Sequence, residues 1–292
     1  MFPSVDGTGE TASSVFSQHP LSEKKIQPQR KVSSTTEAVR SGIYFLYSIH
    51  MKKAVIVGAT SGIGKEVALL LIREGWRIGI AGRREEELKV LQASAPDQVE
   101  WQVLDVTREE AAAHLHTLIG KLGGMDLYFH SSGVGYQNPE LKAKEEIQTL
   151  RTNGEGFTRM IVAAFQYFKE HGGGHIAAIS SIAGTKGLGL APAYSATKRF
   201  QNTYIDALDQ LSRMETLNIR FTDIRPGFVA TPLLKEGHYP MQMQAGQVAA
   251  HIVKALRQKK RVVVIDWRYA ILVFFWRMIP RWIWVRMPVK NQ

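Results

Sequence analysis

The chain has 292 residues, 45% apolar and 22% charged, which is long enough to bury one large core and too apolar for a chain that stays unfolded. It has no cysteine, which excludes disulfides, thiolate nucleophiles and cysteine-ligated zinc and suits a reducing compartment such as the cytoplasm. The formal charge is +11, but residues 254–292 hold ten Lys or Arg against one acid, Asp266; there the basic residues alternate with large apolar ones, a pattern that suits a membrane surface better than nucleic acid.

In chain order, residues 1–50 are rich in Ser and Thr, carry Pro3, Pro20 and Pro28, and show no sustained period. They read as a disordered or dispensable extension. Residues 42–49 are apolar but too short to span a bilayer, and no small-residue cleavage site follows them as it would in a secretory signal. Met51-Lys52-Lys53 looks like a natural start.

An apolar run at 54–57 then ends in three glycines, Gly58, Gly62 and Gly64, with Thr60, Ser61 and Ile63 between them. A helical pattern follows, with Val67, Ala68, Leu70, Leu71 and Ile72 apolar. Strand, tight turn and helix in this order suit a phosphate: glycine tolerates positive φ and close approach, and the helix N-terminus presents unpaired N–H groups. Further strands are expected at 76–81, 99–104, 125–130, 175–180, 219–224 and 262–266. Helices are expected at 85–91, at 107–122 with Thr107 as its cap, and at 144–169, 192–214 and 245–256. Strands separated by helices require crossovers, and hence a Rossmann-like, doubly wound parallel sheet of about seven strands. Its ligand crevice lies at the strands' C-terminal ends. Residues 51–266 read as one domain and 267–292 as a hydrophobic, basic tail.

If the glycine turn holds a pyrophosphate, the end of the second strand meets the adenosine ribose. The sequence there is Ala81-Gly82-Arg83-Arg84, with no acid at 81 or 82, so Arg83 and Arg84 favour NADP(H) over NAD(H). Asp105-Val106, after the third strand, is placed to meet adenine, with capping as the other role for the aspartate. Tyr194 and Lys198 stand four apart on one helix and share a face. An ammonium beside a phenol lowers its pKa from near 10 toward a useful acid and base. Ser181 follows the fifth strand, Asn153 sits in the long preceding helix, and Pro226-Gly227-Phe228-Val229-Ala230-Thr231 follows the sixth strand.

Together these pieces resemble the short-chain dehydrogenase/reductase family: Gly58-x-x-x-Gly62-x-Gly64, Asp105-Val106, Asn153, Ser181, Tyr194-x-x-x-Lys198 and Pro226-Gly227-x-Val229-x-Thr231, in the family's order and spacing. The resemblance implies hydride transfer between NADP(H) and a carbonyl or secondary alcohol. Tyr194 would exchange the proton, and Lys198 would hold the nicotinamide ribose and lower the Tyr194 pKa. Ser181 would position the substrate carbonyl, and Asn153 would hold a water in a relay leading from Lys198. The glycine turn would wrap the cofactor, Val229 would contact the nicotinamide amide, and Thr231 a phosphate. A homodimer or homotetramer through the long helices is also implied.

Two departures stand out. Val57 replaces the family's usual Thr, and His130-Ser131-Ser132-Gly133 replaces Asn-Asn-Ala-Gly. Gly133 still permits approach to the cofactor, while the bracing of the central strands falls to His130 and the serines. His130 reads as structural.

Residues 231–243, with Leu233, Leu234, Tyr239, Met241 and Met243, are expected to cover a mainly apolar substrate. No histidine spacing suggests a metal, and no Gly-x-Ser-x-Gly elbow suggests a hydrolase. Residues 267–287, with Trp267, Trp276, Trp282 and Trp284, are too interrupted to span a membrane. They read as a peripheral anchor on the inner face of a membrane, or as a surface packed on another subunit or on the domain itself. The competing function is an NADP(H)-binding sensor or scaffold at a membrane, without turnover.

Overall fold

The computed structural model describes residues 51–234 and 239–289. The expectations for residues 1–50 lie outside the described residues. The described residues form one compact unit. Its elements are β1 (Lys53–Val57), α1 (Gly62–Arg73), β2 (Arg77–Gly82), α2 (Glu85–Ala93), β3 (Val99–Val103), α3 (Ala111–Leu122) and β4 (Leu127–His130). Then come α4 (Ala143–Leu150), a π-helical turn (Arg151–Gly156), α5 (Phe157–Glu170), β5 (Gly174–Ile179), a 3-10 turn (Ile182–Thr185), α6 (Pro192–Met214) and β6 (Ile219–Arg225). The remainder is β7 (Val229–Ala230), β8 (Met243–Gln244), α7 (Ala245–Arg257), β9 (Val262–Val264), α8 (Trp267–Met278) and α9 (Arg281–Trp284).

Seven strands form one sheet in the order β3-β2-β1-β4-β5-β6-β9, every pair parallel. The order reverses between β1 and β4, which opens the ligand crevice beside the C-terminal ends of those strands. The pleat divides β1 between two cores. Ala54 and Ile56 pack with α1, α2, α7 and α8, whereas Val55 and Val57 pack with α3, α5 and α6. Both faces are covered, so the central strands are continuous apolar runs.

Three expectations need correction. Thr107 does not cap a helix: its N–H and hydroxyl both bond to Asp105 Oδ1, at 3.0 and 2.8 Å, which closes a local turn and delays α3 to Ala111. The seventh strand ends at Val264, not 266, because Asp266 turns the chain with φ 73° and starts α8 by accepting from Arg268 N. The helix expected at 144–169 is broken by the π-helical turn. Phe157 N–H bonds back to Thr152 O, skipping the Asn153 carbonyl. Gly156 lies so close to the Val106 carbonyl that a Cβ there would fall 2.8 Å from it. Glycines at 154 and 156 weaken the α-helical ladder where this detour occurs.

The tail is built into the domain on its inner side. Tyr269 is buried, and its hydroxyl donates to Pro240 O at 2.9 Å and accepts from Phe228 N at 3.1 Å. Trp284 Nε1 donates to Gly187 O at 2.8 Å, and Lys186 Nζ donates to Ile279 O at 2.7 Å. The outer side leaves Trp267, Ile271, Phe274, Phe275, Met278 and Trp282 exposed. Among the described residues no helix is long and apolar enough to cross a membrane.

Candidate functional site

The glycine turn between β1 and α1 is fixed by close approach. Gly58 has φ 93°, and a Cβ there would lie 2.6 Å from Ser132 N; one on Gly64 would lie 2.2 Å from Gly58 O. Gly62, at φ 54°, faces Thr231, whose side chain a Cβ would meet at 3.1 Å. The turn is thus a cradle that side chains would fill. Ser61 stands at the N-cap of α1 without making a side-chain cap, and no acid occupies the first turn. That end of a twelve-residue helix keeps the donors and partial positive charge that suit a phosphate, so the residues present fit a dinucleotide. Ile63 is partly buried and packs on the apolar core.

Arg84 Nη2 donates to Thr60 Oγ1 at 2.9 Å, which brings a guanidinium to the rim of the turn, and Arg83 is exposed beside it. Asp105 uses Oδ1 on Thr107 to close a local turn rather than to cap α3, whose N-cap is Glu110, and Val106 is buried with its carbonyl held by Arg159 Nη1 at 3.0 Å. Pro226 O accepts from Ile182 N at 3.1 Å and ties the sixth-strand loop to the segment after β5. Gly227 lies against the Tyr269 ring, where a Cβ would fall 2.2 Å from it. Val229 is buried and begins the β7–β8 pair.

Tyr194 and Lys198 stand in the first two turns of α6, which opens at Pro192, where a missing N–H costs nothing. Lys198 is buried, and its Nζ donates to Ile179 O and Gln201 Oε1, both at 3.0 Å. Burial lowers the Lys198 ammonium from 10.5 to about 8, against the opposing pull of Asp223. The Tyr194 phenol is raised from 10.0 by burial, which outweighs a lowering hydrogen bond with the Ser181 hydroxyl. This corrects the expectation of a lowered phenol. The ammonium lies 5.7 Å from the ring centroid and points its protons at an amide and a carbonyl, so in the free protein desolvation decides the sign.

Ser181 sits at the N-cap of the 3-10 turn and accepts from Ala183 N at 3.1 Å. Asn153 is fully buried and clamps the segment after β4 from both sides: its Oδ1 accepts from Val134 N at 2.9 Å, and its Nδ2 donates to Val134 O at 2.7 Å. A Cβ on Gly133 would fall 3.2 Å from Asn153 Oδ1 and 3.8 Å from Lys198 Nζ. The structure therefore brings Gly133, Asn153, Ser181, Tyr194 and Lys198 together at the C-terminal end of the sheet, beside the glycine cradle.

His130 does not brace neighbouring strands as expected. It bonds within β4, Nδ1 to the Tyr128 hydroxyl at 2.9 Å, and it is the segment after β4, not a strand, that Asn153 fixes. Burial, aided by Lys198, lowers His130 to about 3, so the ring is neutral at ordinary pH. The expected cover at 231–243 is only partly one. Residues 235–238 lie outside the described residues, Leu233 is exposed, and Met241 and Met243 pack on the core beneath α7. Tyr239 is buried: its ring lies 5.0 Å from Phe228, and its hydroxyl accepts from Gln137 Nε2 at 3.4 Å.

Sequence reasoning missed a layer behind Lys198. Asp223 is fully buried and accepts from Arg225 Nε and Nη2, at 2.8 and 2.6 Å, from Asn202 Nδ2 at 2.9 Å, and from the Ser180 hydroxyl. The signal was available: two charges alternate on β6, a central strand that is otherwise apolar or uncharged at its buried end. Gly135 was also missed, and a Cβ there would lie 3.0 Å from the Tyr194 ring.

The profile of the short chain dehydrogenase family matches residues 52–240. An uncharacterized oxidoreductase of Myxococcus xanthus is 31% identical over 237 residues, covering 78% of this chain and 93% of its own length. One from Listeria monocytogenes is 35% identical over 194 residues, covering 64% of this chain and 78% of its own. Among solved structures, an actinorhodin polyketide ketoreductase variant with NADPH superposes with a TM-score of 0.65 at 23% identity, over 74% of this chain and 96% of that one. A 3-ketoacyl-(acyl-carrier-protein) reductase from Brucella melitensis, complexed with NADH, gives 0.66 at 23% identity, over 74% and 96%. At that identity the two structures show the shared fold.

Proposed function

Because the chain belongs to the short-chain dehydrogenase family, we propose that it is an NADP(H)-dependent oxidoreductase that interconverts a carbonyl and a secondary alcohol, working mainly as a reductase. The observation that carries this reading is the convergence of Ser181, Tyr194 and Lys198 beside the glycine cradle. Bound NADPH supplies the hydride that the carbonyl carbon receives. Ser181 holds the carbonyl oxygen, and Tyr194 gives that oxygen its proton, leaving an alcohol and a phenolate. A phenol kept protonated by burial is a donor ready for reduction. Lys198 holds the ribose hydroxyls and stabilises the phenolate through its charge. Asn153 fixes the segment carrying Gly133 so that the backbone forms one wall of the nicotinamide site.

Arg83 and Arg84, with no acid at 81 or 82, support NADP(H) over NAD(H). Gly135 packs on Tyr194, Gln137 bonds to Tyr239, and Tyr239 packs on Phe228, so the wall beside the phenol is largely aromatic and suits an apolar substrate. The chain is a homodimer or homotetramer joined through α4–α6, which expose Ile147, Leu150, Val162 and Phe200. Its C-terminal layer makes peripheral contact with a membrane: exposed aromatic and aliphatic side chains stand beside exposed Arg277, Arg281 and Arg286, and no acid occurs in 267–289. NADPH oxidation against a panel of ketones, aldehydes and lipid-like carbonyls, with NADH as control, tests the reading; no turnover with any of them argues for the sensor. A sensor has no use for a proton donor with its own positioned serine and lysine.

A further inference from the structure

Gln201 lies one turn beyond Lys198 on α6 and is completely buried. Both ends of its carboxamide are engaged. Oε1 accepts from Lys198 Nζ at 3.0 Å, and Nε2 donates to the Asn153 carbonyl at 2.9 Å. The chemistry fixes the amide's orientation, because an ammonium can only donate and a carbonyl can only accept. The Asn153 carbonyl is available to it because Phe157 N–H, which would take it in an α-helix, bonds to Thr152 O in the π-helical turn. The family resemblance has Asn153 hold a relay water leading from Lys198; here a side chain bridges the Lys198 ammonium and the Asn153 carbonyl.

We propose that Gln201 is a positioning residue of the redox centre, which stands in for the relay water and holds the Lys198 ammonium against the Asn153 carbonyl. This rests on the redox reading above. A carboxamide passes a proton on only through a costly tautomer, so Lys198 is left as a fixed charge rather than a link in a chain of exchanging waters. The ionisable groups facing Lys198 are Tyr194 on its own helix, Asp223 on β6 and His130 on β4. Gln201 is the side chain that accepts directly from it.

The test measures NADPH affinity by fluorescence titration between pH 6.5 and 10, in wild type, Gln201→Glu and Gln201→Leu, with thermal unfolding as the control. In wild type, affinity falls as pH rises through a midpoint set by Lys198, near 8. Gln201→Glu places a carboxylate on the ammonium and moves that midpoint up by about one unit or more. Gln201→Leu keeps the bulk without either bond and weakens NADPH at pH 7 by about tenfold. A purely structural glutamine would lower the unfolding temperature of both variants and leave the Gln201→Glu midpoint where wild type has it, which overturns the proposal. If Gln201→Leu fails to fold, the Gln201→Glu comparison decides. Failure of the redox reading looks different: wild type then binds no NADPH, or Tyr194→Phe turns over at the wild-type rate.

Discussion

A buried ammonium should leave a signature in stability, and Lys198 provides one whose size follows from its surroundings. Only 4% of the residue is exposed, and burial lowers the ammonium from 10.5 to about 8. The sign follows from proton counting. Between those two values the unfolded chain binds a proton that the folded one has released, so stability rises with pH. Below about 8 both states are charged, and the folded state carries the full desolvation penalty. The complete effect is about 3 kcal/mol at 1.36 kcal/mol per pH unit, of which about 2 kcal/mol is gained between pH 7 and 9.5. Stopping at 9.5 keeps the buried phenols of Tyr128 and Tyr194, both raised above 10.0, protonated throughout. Urea denaturation of wild type and Lys198→Met across that range isolates the term: the wild-type curve climbs relative to the variant by about that amount. Parallel curves, or a wild type that loses ground with rising pH, would refute the picture of a desolvated ammonium held by neutral acceptors.

Asp223→Asn leaves the Arg225 guanidinium buried without its counter-charge, and is expected to cost about 3–5 kcal/mol in urea denaturation; a cost below 1 kcal/mol would mean the pair is solvated. Arg83→Ser with Arg84→Ser removes the two cations at the ribose end of the cradle. It is expected to weaken NADPH by about 1–3 kcal/mol while leaving NADH nearly unchanged, because the charge-assisted bond to phosphate is lost, whereas the exposed Arg84–Thr60 bond lost with it affects both cofactors alike. Equal losses for both cofactors would contradict that assignment. Phe274→Ser with Phe275→Ser and Trp282→Ser strips the outer face of α8 and α9 and spares Tyr269 and Trp284. Co-sedimentation with anionic phosphatidylglycerol vesicles is expected to be lost, with the fold intact by circular dichroism. Undiminished sedimentation would leave the exposed face without a membrane role, and a fall in oligomer size would assign it to a second copy instead.

Much of this molecule could be read from the sequence because its signals are local. Three glycines after an apolar run describe a strand–turn–helix unit within 21 residues, Lys53–Arg73, and Tyr194 with Lys198 needs only the helical repeat to share a face. The seven strands follow from alternation of apolar runs with helical periods. What stayed hidden depends on partners distant in sequence. Thr107 looks like a cap until Asp105 captures it. Asn153 sits in a helix by periodicity, yet its freed carbonyl depends on a π-helical turn that no periodicity announces and on Gln201, 48 residues away. The sign of the Tyr194 shift turns on how deeply the phenol is desolvated, which spacing does not report. The tail's alternation of arginine and tryptophan shows an amphipathic surface, but its inner anchors are single residues, Tyr269 and Trp284, indistinguishable in sequence from exposed neighbours.

Proton donation by Tyr194 beside a bound nicotinamide is tested most directly by Tyr194→Phe, compared with wild type in NADPH affinity and in kcat on the best carbonyl of the panel. Loss of the general acid is expected to lower kcat by about 10²–10⁴-fold while NADPH binds within about twofold of wild type. A variant that keeps the wild-type kcat would contradict the account at its centre.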